Sequence, residues 1–246
     1  MQSTFKHHEK KYLVTQEQYG LLESALHPHM GADKYGSHWV QNLYFDTENW
    51  DVIRTSIEKP LYKEKMRLRC YGVPDSTSHV FLELKKKYNG IVYKRRIALP
   101  AEAANGLKAA MTTETSQIGR ELNFYLNATK VEKKMFLAYR RIALSGKENS
   151  YLRITFDSDI HYRPDSFDFA KPGEGQYIVP NCAIMEIKTP TSFPLWLVKI
   201  LSEFKIYGTS FSKYAMCFTD YLYPHAKRRE VERIAGLSHK RYDRRV

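Results

Sequence analysis

Residues 63–99, KEKMRLRCYGVPDSTSHVFLELKKKYNGIVYKRRIAL, contain the pattern that decides the fold. Charged and apolar residues alternate through most of this stretch, and alternation with a period of two is typical of a β-strand. The predicted strands are 63–71, 79–87 and 91–99. Asn89-Gly90, between the second and third strands, is the strongest short signal for a β-hairpin. The stretch therefore predicts three consecutive antiparallel strands.

The alternation places like charges on the same face of each strand, since successive side chains point to opposite faces. In residues 65–70 the cations are Lys65, Arg67 and Arg69, and they alternate with apolar residues. The same pattern recurs in 80–87, 93–97, 152–157 and 185–188. A single charged face of this kind is equally consistent with a solvated outer surface of the protein. Repeated on five strands, it costs self-repulsion unless an anionic partner is bound.

One arrangement accounts for all five strands together. In a closed barrel, the apolar faces would pack outward under helices and the charged faces would line the interior. Such an interior would be unstable empty, and it is explained by a bound polyanion together with a divalent metal.

Composition supports an anionic partner. The 246 residues include 39 Lys and Arg against 27 Asp and Glu, a formal net charge of +12. Nucleic acid, anionic lipid and polyphosphate are the candidates. The sequence contains no run of about 18 apolar residues, so it predicts no membrane span. The start of the sequence lacks the apolar segment of a signal peptide. Cys70, Cys182 and Cys217 form no CxxC pair, so we expect a reduced, cytoplasmic protein without a disulfide framework.

The rest of the chain predicts an α+β fold with many antiparallel strands and a few helices. Thr15 and Gln18 form a predicted capping box for a helix that ends near Leu26. Further strands are predicted at 11–14, 39–46, 134–144, 151–160 and 182–188. Further helices are predicted at 49–57, 101–110, 119–126 and 195–204, the last with Pro194 in its first turn and Thr191 or Ser192 as its cap. Residues 216–221 fit a strand or a helix equally. We expect one domain over 1–225 and a basic helical tail over 226–246.

Nine short segments, in order along the chain, resemble a known family. They are EKKYLV (9–14), NLYFD (42–46), RLRCYG (67–72), LELK (82–85), YKRR (93–96), YRR (139–141), LRI (152–154), MEIK (185–188) and FSKY (211–214). Each segment is weak alone, but the ordered set is specific. It is similar to the VTC domain, the polyphosphate polymerase domain of the vacuolar transporter chaperone family. That domain belongs to the CYTH, or triphosphate tunnel metalloenzyme, superfamily.

The resemblance implies an antiparallel eight-stranded β-barrel tunnel with helices packed outside. It implies an ATP-dependent polyphosphate polymerase, a phosphotransferase that moves the terminal phosphate of ATP onto a growing inorganic polyphosphate chain. Mn²⁺ or Mg²⁺ would be the cofactor. Carried over by position, the catalytic phosphate ligands are Lys11, Arg67, Arg69, Lys85, Lys94, Arg141, Arg153, Lys188 and Lys213. Arg96, Ser212 and Tyr139 would add phosphate contacts. The metal ligand would be Glu186, with Glu9 and Glu83 as auxiliary ligands. The doublet Arg140-Arg141 leaves the register of Arg141 ambiguous by one residue.

The sequence departs from the superfamily at one motif. Hydrolases and cyclases of the superfamily carry an N-terminal Glu-x-Glu-x-Lys signature, whereas His7 stands here in place of the first glutamate and Glu9 keeps the second. This partial loss favours the polymerase. Two alternatives stay open: a tripolyphosphate or nucleoside-triphosphate hydrolase of the same fold, and a non-catalytic polyphosphate-binding module.

The partners expected from the resemblance are ATP and inorganic polyphosphate. The sequence has no membrane-spanning or SPX domain of the kind attached to eukaryotic relatives, so coupling to transport would need a separate membrane-protein partner. The expected location of the protein is the cytoplasm, or a peripheral position at the inner face of the membrane. No nucleic acid is expected, because the cations alternate on strands instead of forming an exposed patch with stacking aromatic residues.

Overall fold

The computed structural model describes residues 8–89 and 91–222. The strands are β1 (His8–Thr15), β2 (Met30–Ala32), β3 (His38–Asp46), β4 (Tyr62–Tyr71), β5 (His79–Tyr88), β6 (Ile91–Pro100), β7 (Glu132–Gly146), β8 (Arg153–Arg163), β9 (Gln176–Ile178), β10 (Cys182–Thr189) and β11 (Gly208–Thr209). The helices are α1 (Gln16–Leu26), α2 (Asp51–Ile57), α3 (Leu107–Thr112), α4 (Gln117–Ala128), α5 (Leu195–Glu203) and α6 (Lys213–Leu222), with a 3-10 helix at Ala101–Ala104. The predicted α+β class is confirmed.

The strands belong to a mostly antiparallel sheet with the hydrogen-bonded order β11-β1-β10-β8-β7-β3-β4-β5-β6; β2 also pairs with β7 and β9 with β8. The predicted number of eight strands is therefore wrong for the described chain, which has eleven. The three additional strands are β2, β9 and β11, which have only three, three and two residues. The sheet is not closed in this strand order, which ends at β11 and β6.

Several local predictions can be compared with the observed elements. The capping box is confirmed: Gln18 N donates to Thr15 Oγ1 at 3.2 Å, and Thr15 N donates to Gln18 Oε1 at 3.1 Å. The continuous helix at 101–110 is wrong, because Asn105 and Gly106 separate the 3-10 helix from α3 and glycine is a poor helix former.

Two predictions near the C-terminal part of the described chain have clear outcomes. The predicted cap of α5 is wrong, since Pro194 holds the N-cap position and makes no side-chain cap bond. Residues 216–221, left open between strand and helix, lie in α6. The predicted basic tail at 226–246 lies outside the described residues.

The described chain divides into two compact units. The first unit contains 39–139 and 161–176, and includes β4, β5, β6, α2, α3 and α4. In this unit the apolar faces of β4 and β5 are buried in one hydrophobic cluster with α3 and α4. Its fully buried strand residues include Met66, Leu68, Leu82 and Leu84, and the helices contribute side chains such as Met111 and Leu122. The predicted packing of apolar strand faces under helices is confirmed for this unit.

The second unit contains 8–38, 140–160 and 177–222, and includes β1, β10, α1, α5 and α6. Here the apolar faces of β1, β8 and β10 pack with α1 and α5. The buried members of this cluster include Val14, Ile154, Met185, Leu22 and Leu197. Within each unit the alternate strand residues, which include Arg67, Glu83, Lys11 and Glu186, lie on the face opposite this apolar packing. No helix in the described part of the chain is both long and apolar enough to cross a membrane.

Candidate functional site

The charged face of the first unit is organised around Glu83. The strand register puts Arg67 of β4 and Arg96 of β6 directly opposite Glu83 of β5, on either side. Directly opposite residues in a sheet are close enough for their side chains to interact. The three residues therefore form a row across three strands, and we call them, with Lys94, the Glu83 cluster.

Both oxygens of the Glu83 carboxylate are engaged by cations. Arg67 Nε donates to Glu83 Oε2 at 2.8 Å, and Arg67 Nη2 lies 2.7 Å from the same oxygen. Arg96 Nε donates to Oε1 at 2.6 Å, and Lys94 Nζ is also 2.6 Å from Oε1. The Glu83 side chain is only 2% exposed. The cluster thus has three cationic side chains around one buried carboxylate.

Burial and neighbouring charges both shift the pKa values of Glu83 and Lys94. Burial alone would raise the pKa of Glu83, but Arg67, Arg69 and Lys94 hold it well below its usual range. Burial lowers the pKa of Lys94, and this effect outweighs the attraction of Glu83. The carboxylate is therefore ionised at neutral pH, and the surplus of positive charge around it favours an additional anion.

Arg69 is held beside the cluster by neutral groups. Its Nε donates to Asn42 Oδ1 at 2.9 Å, its Nη2 to Tyr139 Oη at 3.4 Å and its Nη1 to Tyr71 Oη at 3.5 Å. The residue is 7% exposed. None of these three acceptors is a carboxylate, so the guanidinium is oriented without a direct ion pair. This arrangement suits a fork that binds an oxyanion from outside the protein.

Tyr71 receives hydrogen bonds from two arginines. Arg96 Nη2 donates to its phenol oxygen at 2.9 Å, in addition to the bond from Arg69. Burial alone would raise the pKa of Tyr71, but Arg69 and Arg96 lower it to about 8. The phenol, which accepts hydrogen bonds from two candidate phosphate ligands, is therefore largely neutral near pH 7 and ionises as the pH rises through about 8.

A second row of cations shares Lys94 with the Glu83 cluster. Lys65, Lys85 and Lys94 are directly opposite one another on β4, β5 and β6. Lys85 and Lys94 are predicted phosphate ligands, whereas Lys65 was not among them. Strand alternation already placed Lys65 on the face of Arg67, and only the cross-strand register shows that it lies beside Lys85.

The charged face of the second unit is organised around Glu186. Lys11 of β1 lies directly opposite Glu186 of β10, and Glu9 lies opposite Lys188. Lys188 Nζ is 2.6 Å from Glu186 Oε1, and Lys11 Nζ is 3.6 Å from Glu186 Oε2 and 3.2 Å from Glu9 Oε1. We call these four residues the Glu186 cluster.

Glu186 is ionised in this arrangement. Burial alone would raise its pKa, but Lys188, Lys11 and Lys213 hold the pKa well below its usual range. The structure thus brings together two predicted metal ligands, Glu9 and Glu186, and the predicted phosphate ligands on this face.

Asp157 anchors two further predicted phosphate ligands in the second unit. Arg141 binds the carboxylate with both Nε, at 2.6 Å, and Nη2, at 2.8 Å. Lys213 Nζ, in the first residue of α6, lies 2.5 Å from Asp157 Oδ2, and the Asp157 side chain is fully buried. The register that the sequence left ambiguous is now resolved: Arg141 turns toward Asp157, whereas Arg140 is exposed.

The remaining predicted ligands of this unit lie at the ends of elements. Arg153 begins β8, directly opposite Lys188, and its Nη2 donates to Asp33 Oδ2 at 3.1 Å. Ser212 precedes α6, and its hydroxyl accepts a hydrogen bond from Ala215 N at 3.4 Å. Ser212 therefore caps α6, and a phosphate contact from the same hydroxyl stays a prediction.

The donor chemistry indicates which carboxylates could hold a divalent cation. Glu9 and Glu186 both face the Lys11 ammonium, so their oxygens converge on a point that a positive charge already occupies. Carboxylate oxygens are suitable ligands for Mn²⁺ and Mg²⁺, and these two residues fit the role. Glu83 fits it less well, because arginine forks and Lys94 engage both of its oxygens. No cluster of three or more His, Cys, Asp or Glu side chains suited to a metal occurs in 8–89 or 91–222.

Sequence reasoning missed the neutral residues that support the arginines. Asn42 binds Arg69, and Tyr44 Oη accepts a bond from Arg67 Nη1 at 3.3 Å. Both lie on β3, in which almost every residue is buried. The sequence of β3 therefore resembles that of an ordinary core strand and gives no sign of a role in the site. Its register with β4, which pairs Asn42 with Arg69 and Tyr44 with Arg67, is the signal that identifies them.

Comparison with known proteins gives a family match and a fold match. The family model of the VTC domain matches residues 6–220. Among solved structures, a protein from Bacillus halodurans that is provisionally named an adenylate cyclase has a TM-score of 0.52 and 17% identity, covering 83% of this chain and 92% of its own. The PH1819 protein from Pyrococcus horikoshii OT3 has a TM-score of 0.50 and 13% identity, covering 87% of this chain and 99% of its own. No curated protein matches the chain. The structural likenesses confirm the triphosphate tunnel fold.

Proposed function

Because the chain belongs to the VTC domain family, we propose that it is a polyphosphate polymerase that transfers the terminal phosphate of ATP to a growing inorganic polyphosphate chain. The observation that carries the proposal is the Glu83 cluster with Arg69, where four cations surround one buried carboxylate. A linear phosphate chain supplies many closely spaced negative charges, and arginine forks bind phosphate oxygens in a bidentate manner.

The chemistry requires little covalent participation by the protein. The bond between the terminal phosphorus of ATP and its bridging oxygen breaks, a new bond forms to the terminal oxygen of the polyphosphate chain, and ADP leaves. Charge spreads over the equatorial phosphate oxygens in the transition state. Fixed donors from Arg67, Arg69 and Arg96 would stabilise that charge and position the phosphates, since preorganised donors act without reorganisation.

The second unit would contribute metal binding and further cations. Glu186 and Glu9 would hold Mn²⁺ or Mg²⁺, with Lys11 and Lys188 contacting phosphate. A bound divalent ion supplies charge neutralisation at phosphate oxygens. Asp157 would hold Arg141 and Lys213 in fixed orientations for phosphate contacts within the second unit. No carboxylate in this scheme acts as a nucleophile.

The function is tested by incubating purified protein with ATP and Mn²⁺, then analysing products on a polyphosphate-staining gel and in a free-phosphate assay. We expect long chains from the wild type. Glu186→Gln keeps the size of the side chain but removes its charge, and we expect it to lower the synthesis rate by at least about 100-fold. Glu174→Gln is the matched control, because the Glu174 side chain is exposed and forms a surface ion pair with Lys171 at 3.2 Å.

The other outcomes distinguish the alternatives. Free phosphate without long chains would contradict the polymerase and favour a tripolyphosphate or nucleoside-triphosphate hydrolase. The position of Glu9 beside Lys11 is the observation that supports this second candidate, since it provides a second carboxylate on the face of Glu186. Tight polyphosphate binding without any turnover would favour a non-catalytic binding module.

Tyr71 predicts a pH dependence of phosphate binding. Its pKa of about 8 means that it becomes an anion as the pH rises through that value. The phenolate would repel phosphate and compete for Arg69 and Arg96, so binding favours the protonated phenol. We expect tripolyphosphate affinity to fall by up to about tenfold between pH of about 7 and about 9, as measured by calorimetry.

The Tyr71→Phe variant isolates this effect. It should bind tripolyphosphate with little change in affinity over the same pH range. Tyr207→Phe is the control, because Tyr207 is 76% exposed and should keep the wild-type profile. An unchanged profile in Tyr71→Phe would show that another group titrates.

A further inference from the structure

The free end of the β4–β5–β6 sheet, within the first unit, carries a concentration of exposed apolar side chains. Six of the eighteen large hydrophobic residues that are exposed in the described chain lie there: Leu61, Tyr62, Tyr88, Ile91, Val92 and Tyr93. We call these six residues the hairpin patch. Scattered exposed apolar residues are normal, but a contiguous group indicates an interaction surface.

The register places the patch at one end of the three strands, with Tyr62, Tyr88, Ile91 and Tyr93 on one face of the sheet and Val92 on the other. Tyr62, Tyr88 and Ile91 are directly opposite one another on the three strands, and Val92 lies opposite Lys87 in the next row. The backbone of Asn89 donates to Leu61 O at 3.0 Å, so Leu61 lies beside the turn. The patch therefore forms the end of one hairpin and of the strand that pairs with it.

Lysines surround the hairpin patch. Lys63 lies directly opposite Lys87, and Lys86 lies opposite Tyr93. Lys63 Nζ donates to Ser56 O at 3.0 Å, and burial lowers the pKa of Lys63, with smaller contributions from Lys87 and Lys59. The nearby carboxylates are Glu58, Glu64 and Glu121; Glu64 accepts a hydrogen bond from Tyr62 and lies 3.8 Å from Lys86, which also pairs with Glu121 at 2.8 Å.

We propose that the hairpin patch docks on the surface of an anionic lipid bilayer. Tyrosine side chains suit the interface between headgroups and acyl chains, because one end of the ring is apolar and the other is polar. Ile91, Val92 and Leu61 would enter the acyl boundary, while Lys63, Lys87 and Lys59 would contact anionic headgroups. The combination of aliphatic tips, tyrosines and a ring of lysines gives charge complementarity to such a surface. This inference is independent of the proposed polymerase activity.

Vesicle sedimentation tests the proposal with the full chain. The protein is mixed with vesicles of phosphatidylcholine alone or of phosphatidylcholine with phosphatidylglycerol. We expect wild-type protein to sediment with the anionic vesicles only, and less at high salt because screening weakens headgroup attraction. Absence of sedimentation with the anionic vesicles would overturn the proposal.

Paired substitutions locate the binding surface. We expect Ile91→Ser with Val92→Ser, and separately Lys63→Gln with Lys87→Gln, to lower the bound fraction at least fivefold. Val198→Ser on α5 is the matched apolar control, since Val198 is similarly exposed. Thermal unfolding shows whether each variant remains folded, and ATP-dependent synthesis should be unchanged in the Ile91 and Val92 pair.

Three results would overturn the assignment. Vesicle binding that survives both pairs of substitutions would place the lipid contact elsewhere, including the basic residues 226–246, which every variant retains. A dimeric wild type that the Ile91 and Val92 substitutions make monomeric, without vesicle binding, would identify a second copy of this chain as the occupant. Loss of polyphosphate binding in the lysine variants, with vesicle binding intact, would assign the lysines to the phosphate chain.

Discussion

Replacing Glu83 with glutamine is expected to lower the free energy of unfolding by about 3–5 kcal/mol, as found when one partner of a buried ion pair is removed. The Glu83 carboxylate is nearly inaccessible and neutralises Arg67, Arg96 and Lys94 at distances of 2.6–2.8 Å. An amide accepts fewer charge-assisted bonds and offers donors that oppose the guanidinium groups. The three cations would then repel one another in a partly buried environment.

Chemical denaturation with urea measures this loss. Glu64→Gln is the matched control on the neighbouring strand, because Glu64 is more exposed and its pairing with Lys86 at 3.8 Å is long; exposed pairs contribute at most about 1 kcal/mol. Tripolyphosphate should stabilise Glu83→Gln at least as much as the wild type, because the ligand replaces the missing negative charge. A change of less than about 1 kcal/mol would show that the carboxylate does not anchor the cluster.

Acid should reproduce part of the same loss in the wild type. The pKa of Glu83 is held below its usual range in the folded protein. The stability that the carboxylate contributes is therefore fully present above the pKa of an unfolded glutamate, and it is lost as the pH falls toward the folded value. Glu64→Gln should keep this acid sensitivity, whereas Glu83→Gln should show less of it.

Alternation predicted the charged faces because a strand has a fixed period of two. Once residues 65–70 were assigned to a strand, Arg67 and Arg69 had to lie on the face opposite Met66 and Leu68. The contacts agree, since Met66 and Leu68 belong to the hydrophobic cluster whereas the two arginines bind Glu83 and Asn42. The period contains no information on which strands are neighbours. The hairpin signal at Asn89-Gly90 makes the last two strands neighbours, but it does not fix the register of 63–71, so Lys65 could not be added to the row of Lys85 and Lys94.

The two candidate carboxylates show the same limit most clearly. Glu83 lies in LELK and Glu186 in MEIK, so their local patterns are nearly identical. Register separates them, since Glu83 lies between two arginines and Glu186 lies between Lys11 and Thr155. Arginine forks occupy a carboxylate in a fixed geometry, whereas lysines act as mobile point charges. Glu186 is therefore the better candidate for a metal ligand, although sequence pattern alone treats the two glutamates alike.

Substituting Arg69 is expected to weaken phosphate binding without removing an ion pair from the protein. Asn42, Tyr71 and Tyr139 hold the guanidinium through oxygens that are not carboxylates, while its charge also lowers the pKa of Glu83. Arg69→Lys retains the charge but loses the planar fork. Since hydrogen bonds to charged groups contribute about 1.5–3 kcal/mol, we expect the Kd for tripolyphosphate to rise about 10- to 100-fold.

Arg95→Lys is the matched control for this measurement. Arg95 lies on β6 in register with Leu84, on the apolar side of the sheet, and its Nε donates to Glu121 Oε2 at 2.9 Å. Calorimetric titration at fixed salt should give a wild-type Kd for Arg95→Lys and a raised Kd for Arg69→Lys. Equal affinities in the two variants would contradict the role of Arg69. A loss restricted to Arg69→Lys requires a fork at that position, because both variants carry the same net charge and differ only in which face of the sheet has lost its guanidinium.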